Sequence, residues 1–365
     1  MPLRHINQHA LAKELAATGQ RVIRVALDAT YTLQASGGIP RYGRELASEL
    51  RRTEGVEVLE LGAGEFAKRG SPRRMAVTAG LQLLWYPWLG RRTAAARGAD
   101  VYHCLLPRGP TTRGSPPLIV TVHDLIPFRF PETMSRWGRF YTRATHRHVL
   151  QAADRVIVPS RDTADDCVEM LRIPEEKIRV VPMGIDAGFF SAATASEEPD
   201  PYVLFVGCPN PRKNLERLQS AVGKLRQRGY PHTLVIAGED QWGRVALTAP
   251  FVRMLGRVSD DQLRQLYADA ACLAIPSLHE GFGLPALEAM AAGTPVVAST
   301  AGSLPEVTGG AALLVDPYDT DAIAAALEQA ITDGTGLRER GRRHAAAFSW
   351  TATAAATLEV YREVV

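Results

Sequence analysis

The sequence is poor in cysteine, in lysine and in long apolar runs. Its four cysteines (Cys104, Cys167, Cys208 and Cys272) lie far apart, with no CxxC pair and no histidine at metal-ligand spacing. We therefore expect neither a disulfide framework nor a zinc site, and the setting should be reducing and cytoplasmic. No apolar run of about 18 residues occurs, and residues 1–20 lack the apolar region of a signal peptide. We expect neither a spanning helix nor a signal peptide.

The charge is nearly balanced overall but not along the chain. The 365 residues include 42 Lys+Arg and 39 Asp+Glu, for a net charge of +3. Residues 1–187 contain 27 basic and 19 acidic side chains, whereas residues 188–365 contain 15 and 20. Because single cores stop growing at roughly 250–300 residues, length and charge together predict two domains that face different partners.

Short β-rich runs alternate with helical stretches along the chain. The candidate strands are 22–29, 56–61, 99–104, 117–124, 155–160, 179–184, 202–207, 232–238, 251–256, 272–277, 294–299 and 311–316. The stretches between them carry apolar residues at helical spacing, and segment 186–202, rich in alanine, serine and acids, is interpreted as a linker. This pattern predicts an α/β fold of two doubly wound parallel sheets, with ligands beyond the carboxyl ends of the strands.

Segment 276–300 has the pattern of a phosphate-binding loop. A strand is followed by the loop HEGFGL, and Pro285 then begins a helix that Gly293 ends. A helix N-terminus after such a loop suits a diphosphate. Glu280 precedes the helix and Glu288 lies inside it, and carboxylates accept hydrogen bonds from sugar and ribose hydroxyls. The alternative is that both are ordinary acids stabilised by the helix dipole.

The string EGFGLPALE resembles the signature of retaining glycosyltransferases of family 4, which have the GT-B fold. Further motifs in the family's order are SGGIPRYGREL (36–46), VHDLIPFRFPE (122–132), VPSRDTADD (158–166), RVVPMGID (179–186), VGCPNPRKNLERL (206–218), LGRVSDDQLRQLYADA (255–270), AGSLPEVTGGAALLVDP (301–317) and FSWTATAAATLEVYREV (348–364). The resemblance implies two Rossmann-like domains facing each other across a cleft. These are an N-terminal acceptor-side domain (1–187) and a C-terminal nucleotide-sugar-binding domain (188–348), with a final helix (349–365) that crosses back to the first.

The resemblance also implies donor-binding residues around the EGFGL loop. Glu288 would hold the ribose of the nucleotide, and Glu280 would contact hydroxyls of the donor sugar. The backbone N–H groups of Phe282, Gly283 and Leu284 would meet the sugar and the diphosphate.

A second group of donor-binding residues is implied in other motifs. Lys213 would pair with the diphosphate, and it is one of only five lysines. Gly37 and Gly38 would approach the phosphates, because a Cβ would block close backbone approach; the alternative is a simple turn. Many members carry an arginine where this chain has Cys208, and Arg212 could substitute because a guanidinium binds phosphate bidentately.

His123 and Asp124 stand at the end of a predicted strand. In the family the matching histidine meets the donor sugar near its reacting face, so we expect a catalytic role for His123 together with Glu280 and Lys213. The alternative for His123 is a histidine packed at a strand end. Asp124 is either a helper base or a cap for the next turn.

The mechanism implied by the resemblance is retention of anomeric configuration without a protein nucleophile. The sugar leaves as an oxocarbenium-like species, the acceptor hydroxyl attacks from the same face, and the departing diphosphate takes the proton. The protein must supply positive charge and orientation. No metal is expected, because the DxD pair Asp319 and Asp321 opens a helical run and is interpreted as helix capping.

The acceptor side is predicted in the basic first half. In segment 67–98, seven basic residues flank Trp85, Tyr86 and Trp88, a combination that can seat a protein on an anionic membrane. The alternative is a helix packed into the domain with solvated arginines. We expect a glycan or lipid-linked acceptor and a cytoplasmic protein, peripheral at the inner face of the membrane. Nucleic acid is not expected, because no binding motif accompanies the charge.

The stretch VHDLIPFRFPE resembles bacterial polysaccharide mannosyl- and rhamnosyltransferases. GDP-mannose is therefore the first expectation for the donor, a nucleotide-diphospho-sugar that serves as co-substrate, and no cofactor is expected. Two other functions remain open: a nucleotide-sugar epimerase or hydrolase of the same fold, and an inactive nucleotide-sugar-binding module. A dinucleotide oxidoreductase is disfavoured because no GxGxxG follows a predicted strand.

Overall fold

The computed structural model describes residues 22–30, 37–62, 80–133, 136–191, 201–239 and 247–365. Within these ranges the chain forms two six-stranded sheets in which all paired strands are parallel. Residues 1–20, most of the predicted linker (186–202), and Arg73 and Arg74 of the basic segment 67–98 lie outside the described residues.

The first sheet has the strand order β2-β1-β3-β4-β5-β6. Its strands are β1 (Ile23–Asp28), β2 (Val56–Leu61), β3 (Val101–Cys104), β4 (Leu118–Thr121), β5 (Arg155–Val158) and β6 (Ile178–Val180). Every residue of the central strands β3 and β4 is buried, as expected where helices cover both faces of a parallel sheet.

The helices of the first half alternate with these strands. They are α1 (Gly38–Arg52), α2 (Gly90–Ala96), α3 (Ile126–Arg129), α4 (Arg136–Ala152) and α5 (Arg161–Leu171). Helix α1 buries Tyr42, Leu46 and Leu50 at helical spacing. Helix α5 begins after Ser160, whose side chain accepts a hydrogen bond from the Thr163 N–H, the usual way of satisfying a free donor at a helix start.

The second sheet has the strand order β12-β11-β10-β7-β8-β9. Its strands are β7 (Tyr202–Val206), β8 (Thr233–Ala237), β9 (Val252–Gly256), β10 (Cys272–Ile275), β11 (Val296–Ser299) and β12 (Leu313–Val315). Strands β8 and β9 are added on one side of β7, and β10, β11 and β12 follow one another on its other side. The strand order therefore reverses between β7 and β10, and ligands of doubly wound sheets bind at such a switch point. Each predicted strand is thus present in the two sheets, most of them shorter than predicted.

The helices of the second half are α6 (Leu215–Gln227), α7 (Asp260–Asp269), α8 (Leu284–Ala292), α9 (Leu304–Thr308), α10 (Thr320–Thr332), α11 (Thr335–Ala345) and α12 (Trp350–Arg362). The interpretation of the DxD pair as helix capping is confirmed. The Asp319 side chain accepts hydrogen bonds from the N–H groups of Asp321 and Ala322 at the start of α10. Asp321 itself pairs with Lys224 at 2.5 Å.

The last helix, α12, packs against α1 of the first half. The Tyr361 hydroxyl lies 2.8 Å from His103 Nδ1 on β3, and Thr351 donates to a Glu49 carboxylate oxygen at 2.9 Å. One buried apolar cluster contains residues of both halves, including Tyr42 and Phe282. Of the helices in the described ranges, none combines the length and the hydropathy needed to cross a bilayer.

Arg91, one of the seven basic residues of segment 67–98, does not lie at the surface as predicted. Its side chain is buried and donates from Nε to the Pro116 carbonyl at 2.8 Å and from Nη1 to the Thr112 carbonyl at 2.9 Å. Its Nη2 donates to the Gly114 carbonyl. The expectation that Arg91 faces solvent or a membrane is therefore wrong, because its side chain is buried and its guanidinium donates to three carbonyls of the loop 112–116.

The apolar segment before α2 is wound as π-helical turns, Leu81–Leu89. Of the three aromatic residues predicted to form one apolar core, Tyr86 is buried, and Trp85 donates from Nε1 to Asp28 at 2.9 Å. Trp88, by contrast, is 59% exposed. This segment is therefore partly packed into the first half and partly open to its surroundings.

Candidate active site

Three charged side chains meet at the switch point of the second sheet. Arg212 and Lys213 follow β7, and Glu280 follows the neighbouring strand β10. Lys213 Nζ lies 2.6 Å from Glu280 Oε1, and Arg212 Nη1 lies 3.1 Å from Glu280 Oε2. Arg212 also donates to the His279 carbonyl. Both cations are therefore held at the place where a doubly wound sheet binds its ligand.

The three groups control one another's protonation. Burial alone would raise the pKa of Glu280, but the charges of Lys213 and Arg212 and a hydrogen bond from Lys213 oppose it and lower this pKa to about 2. Burial lowers the pKa of Lys213, and the Glu280 charge acts against that change. Glu280 is consequently an ionised hydrogen-bond acceptor at neutral pH.

Helix α8 begins beside this cluster. Gly283 precedes it with φ 92°, a left-handed conformation that favours glycine, and a Cβ there would lie 2.6 Å from Leu304 Cδ2. Because glycine has no side chain, Gly283 provides no side-chain cap for the first N–H groups of the helix, although its carbonyl accepts a hydrogen bond from the Ala286 N–H at 2.9 Å. With Pro285 in the first turn, the chain presents the helix start expected of an anion site.

A second helix N-terminus faces the first. Helix α1 begins after Gly37, which has φ 118°, and it too has no capping side chain at that position. A Cβ placed on Gly38 would lie 3.9 Å from Leu284 Cδ1, so the starts of α1 and α8 are neighbours across the two halves. Both helix dipoles thus present their positive ends to one region.

His123 lies on the first-half side of this region. Its ring packs edge-on against Tyr42 with centroids 4.8 Å apart, and Nε2 lies 3.1 Å from the Leu105 carbonyl. A carbonyl can only accept, so Nε2 carries the proton in the neutral ring and Nδ1 keeps the lone pair. Burial lowers the pKa of His123 to about 4, and the ring is therefore neutral at pH 7.

Gly281 brings the two halves into direct contact. A Cβ on this residue would collide with the His123 carbonyl and would lie 2.7 Å from Asp124 Cβ. The Gly281 carbonyl accepts a hydrogen bond from Ser160 Oγ at 2.8 Å. The Asp124 carboxylate accepts from the Ile126 N–H at 3.1 Å, as in the capping alternative, and burial raises its pKa.

Glu288 lies deeper in α8 and already has two partners. Arg41 Nη1 of α1 is 2.5 Å from Oε1, and the Tyr267 hydroxyl of α7 donates to Oε2 at 2.9 Å. Burial raises the pKa of Glu288, while Arg41 and then Tyr267 oppose the rise. Glu288 is thus linked to both halves of the molecule.

Sequence reasoning missed Arg41, Tyr267 and Gly281. One signal was present for Arg41: it stands in the first turn of a helix that has no acid there, where the dipole disfavours a cation. A cation in such a place implies a carboxylate partner. The structure brings together five of the predicted donor-binding residues of the second half: Arg212, Lys213, Glu280, Gly283 and Leu284. From the first half, Gly37, Gly38 and His123 face this group. Phe282 is buried, and Glu288 lies at the contact with Arg41.

A carboxylate–histidine cluster lies near the site. Ligand atoms of Asp162, Asp166 and His279 lie within 4.8 Å of one another, with His279 Nε2 3.5 Å from Asp162 Oδ2. Arg129 already donates to both oxygens of Asp166. The cluster has the donor types of a cation site, but the guanidinium neutralises one of its carboxylates.

Comparison with known proteins decides the family. Residues 36–189 match Glycosyltransferase Family 4, and residues 186–348 match Glycosyl transferases group 1. O-antigen chain mannosyltransferase B of Escherichia coli is 32% identical over 269 residues, which cover 67% of this chain and 70% of that protein. The chain belongs to the group 1 glycosyltransferases. The prediction of a hexosyltransferase is thereby confirmed at the level of the family.

Other relatives align over smaller shares of their length. The MMP alpha-(1->4)-mannosyltransferase of Mycolicibacterium hassiacum is 33% identical over 274 residues, which cover 68% of this chain and 66% of that protein. The serotype-specific mannosyltransferase WbdA of Escherichia coli is 30% identical over 269 residues, covering 66% of this chain but only 33% of WbdA. This chain therefore corresponds to about a third of WbdA.

Solved structures confirm the predicted GT-B fold. Sucrose-phosphate synthase from Thermosynechococcus elongatus superposes with a TM-score of 0.70 at 22% identity, over 93% of this chain and 98% of that one. Anabaena HepE, solved in complex with UDP and glucose, superposes with a TM-score of 0.68 at 18% identity, over 93% and 100%. At these identities the likeness concerns the fold alone.

Proposed function

We propose that this glycosyltransferase moves a hexose from a nucleoside-diphosphate sugar to a hydroxyl of a glycan or a lipid-linked glycan, retaining the anomeric configuration and using no metal. One observation supports this above the others: Arg212, Lys213 and the N-termini of α1 and α8 converge at the switch point of the second sheet. Two cations and two helix dipoles suit a diphosphate leaving group.

The charged cluster must exchange partners when the donor binds. In the structure the single carboxylate of Glu280 pairs with both Lys213 and Arg212. The diphosphate would take over both cations, and the N–H groups of Phe282, Gly283 and Leu284 would complete its site. Glu280 would then accept hydrogen bonds from hydroxyls of the donor sugar.

The reaction needs charge stabilisation rather than a protein nucleophile. As the bond between the anomeric carbon and the diphosphate oxygen breaks, negative charge grows on the leaving group, where Lys213 and Arg212 would stabilise it. The acceptor hydroxyl attacks from the same face, and its proton passes to the departing diphosphate. Nδ1 of neutral His123 would accept a hydrogen bond from a hydroxyl of the donor sugar and so orient the reacting carbon.

Mannose, carried as GDP-mannose, is our first proposal for the donor. Its support is that the relatives named above include three mannosyltransferases. A panel of nucleotide sugars, scored by thermal shift and by product mass, tests it. Stabilisation and transfer with GDP-mannose are expected; stabilisation by uridine or thymidine donors alone would overturn the choice of donor but not the reaction.

Product analysis distinguishes transfer from the two other functions. With acceptor present, a new glycoside of the same anomeric configuration as the donor sugar is expected by NMR. An epimerase or hydrolase would convert the donor without acceptor, and an inactive binding module would bind it unchanged. Either of those results contradicts the proposed transfer.

We propose that the first half (1–187) binds the acceptor and that the second half (188–348) binds the donor. The final segment (349–365) would belong with the first half, against which it packs. The acceptor side has an exposed apolar surface that includes Trp88, Trp137 and Phe140, which are 59%, 63% and 64% exposed. Helix α4, which carries the last two, contains four arginines and no acidic residue. Aromatic side chains flanked by arginines suit an anionic membrane surface.

The π-helical segment, which carries Trp88, and helix α4, which carries Trp137 and Phe140, both lie close to Arg108. The Arg108 guanidinium is 6.0 Å from the Tyr86 ring centroid in the π-helical segment. Burial raises the pKa of Tyr141 on α4, and the nearby charge of Arg108 opposes that rise. We propose that the exposed aromatic residues of both elements meet one membrane together, with the protein peripheral at its inner face.

Vesicle sedimentation tests the membrane contact. The wild type should sediment with vesicles containing phosphatidylglycerol more than with phosphatidylcholine alone, and a Trp88→Ser/Trp137→Ser/Phe140→Ser variant should remain in the supernatant. Met254→Ser, at an exposed apolar residue of the second half, is the matched control. Equal sedimentation of wild type and triple variant would exclude this surface as the membrane contact.

A further inference from the structure

Glu288 has more acceptor capacity than its partners use. A carboxylate offers about four lone-pair sites, two on each oxygen. Arg41 occupies one on Oε1 and the Tyr267 hydroxyl one on Oε2. As far as the described part of the chain shows, one site remains on each oxygen, and the 2′ and 3′ hydroxyls of a ribose are a matching pair of donors.

Arg41 is well placed to hold this carboxylate still. Its side chain is 15% exposed, and its guanidinium lies 5.4 Å from the Phe189 ring centroid. It lies 3.9 Å from Asp260 as well, a separation too long for a hydrogen bond. Among the described residues its one short polar contact is thus with Glu288, so the stacked guanidinium fixes both the charge and the orientation of that carboxylate.

From this geometry we infer that Arg41, a residue of the first half, is a positioning residue for the nucleotide ribose and acts through Glu288. The inference rests on the proposed function. It means that the ribose site of the second half is completed by the first, so nucleotide binding depends on the two halves being together. Arg41 remains bound to Glu288 while the ribose binds, and it is not displaced.

A cycle that varies both the protein and the ribose tests the inference. GDP, UDP and ADP are first titrated calorimetrically into wild type, and the tightest binder is compared with its 2′,3′-dideoxy form. Arg41→Gln should weaken the ordinary nucleotide by about 10-fold, the loss typical of a hydrogen bond to a charged group. It should leave the dideoxy nucleotide nearly unaffected, because the hydroxyls through which Arg41 acts are then missing. Arg41→Lys should recover part of the loss.

Arg44→Gln is the matched control, because Arg44 lies one turn further along α1 and is exposed. It should change neither affinity. An Arg41→Gln loss that is equal for both nucleotides would indicate a structural role and overturn the inference. Tighter binding by Arg41→Gln would show that Arg41 competes with the ribose, which also overturns it. If wild type binds none of the three ribonucleotides, the inference fails; the proposed function fails with it only if thymidine diphosphate does not bind either.

Discussion

Lys213 Nζ lies 2.6 Å from Glu280 Oε1, and the pair joins the loops that follow the neighbouring strands β7 and β10. Both side chains are largely buried, so neither charge is tolerated without a partner. Each of the two charges therefore compensates the other until a ligand brings its own negative charge for Lys213 and its own hydroxyls for Glu280. This exchange makes Lys213 the first residue to test.

Lys213→Ala should lower kcat/KM by 10²- to 10³-fold, roughly the cost of removing one preorganised transition-state donor. The physical reason is that the leaving diphosphate loses one of the two cations that pair with Glu280. Initial rates over a range of donor concentrations measure the effect. Lys224→Ala removes a half-exposed lysine that pairs with Asp321, and it should leave kcat/KM unchanged; equal losses in both variants would contradict the site.

Gly281→Ala should destabilise the contact between the halves. The added Cβ would meet the His123 carbonyl and Asp124, and overpacking of this kind costs about 1–3 kcal/mol. The free energy of unfolding, measured by chemical denaturation, and the transfer activity should both decline. At Gly223 a Cβ would have ordinary contact, 3.5 Å from Phe251, so Gly223→Ala within α6 should instead stabilise the protein by up to about 1 kcal/mol.

Much of this fold could be predicted because local patterns determine it. Buried parallel strands such as β3 and β4 appear as short apolar runs, and the start of α8 is marked by glycine and Pro285. Lys213 and Glu280 could be placed at one site because each follows a strand, and family resemblance supplied their roles.

Contacts between distant residues could not be predicted in the same way. Arg41 and Glu288 are 247 positions apart, and their pairing depends on how the two halves pack. Arg91 was expected at the surface because its neighbours are basic, yet its three carbonyl partners lie in a loop about 20 residues away. Backbone carbonyls carry no sequence signal, so a side chain that satisfies them cannot be recognised from composition.

Acid should destabilise the fold through His103. This residue is buried between Tyr361 and Thr121, and burial followed by the charge of His123 lowers its pKa to about 3. Between that pH and about 6.5 the unfolded chain binds the extra proton, so stability increases with pH and is lost on acidification. At pH 5 the loss from His103 is about 2 kcal/mol.

Denaturant unfolding at pH 7 and pH 5 measures that loss. His103→Gln removes the titrating group, so its free energy of unfolding should fall less between the two pH values than that of wild type. His148→Gln, at an exposed histidine of α4, is the control. It should show the same difference in free energy of unfolding between pH 7 and pH 5 as the wild type. A wild-type pH dependence retained in His103→Gln would contradict the assignment.

Arg91→Ala should be among the more damaging substitutions in the first half. It leaves the carbonyl of the buried Pro116 without this donor, and an unsatisfied buried group costs about 1–3 kcal/mol. Thr112 and Gly114 are exposed, so water can replace Arg91 at their carbonyls. We expect the free energy of unfolding to fall by about 1–3 kcal/mol in a denaturation experiment, with no change in vesicle binding of the folded fraction. The exposed neighbour variant Arg92→Ala should stay within about 0.5 kcal/mol of wild type.

Chelation should leave transfer intact. Arg212, Lys213 and the starts of α1 and α8 already supply the positive charge that a divalent cation would bring to the diphosphate. Rates measured in EDTA, and again with added Mn²⁺ or Mg²⁺, should therefore agree within twofold. If EDTA abolishes activity and Mn²⁺ restores it, metal-independent transfer is wrong, and Asp162 and His279 become the first candidate ligands. In that case Asp162→Asn should raise the Mn²⁺ concentration needed for half-maximal rate, whereas Asp165→Asn, one turn away and half-exposed on α5, should not.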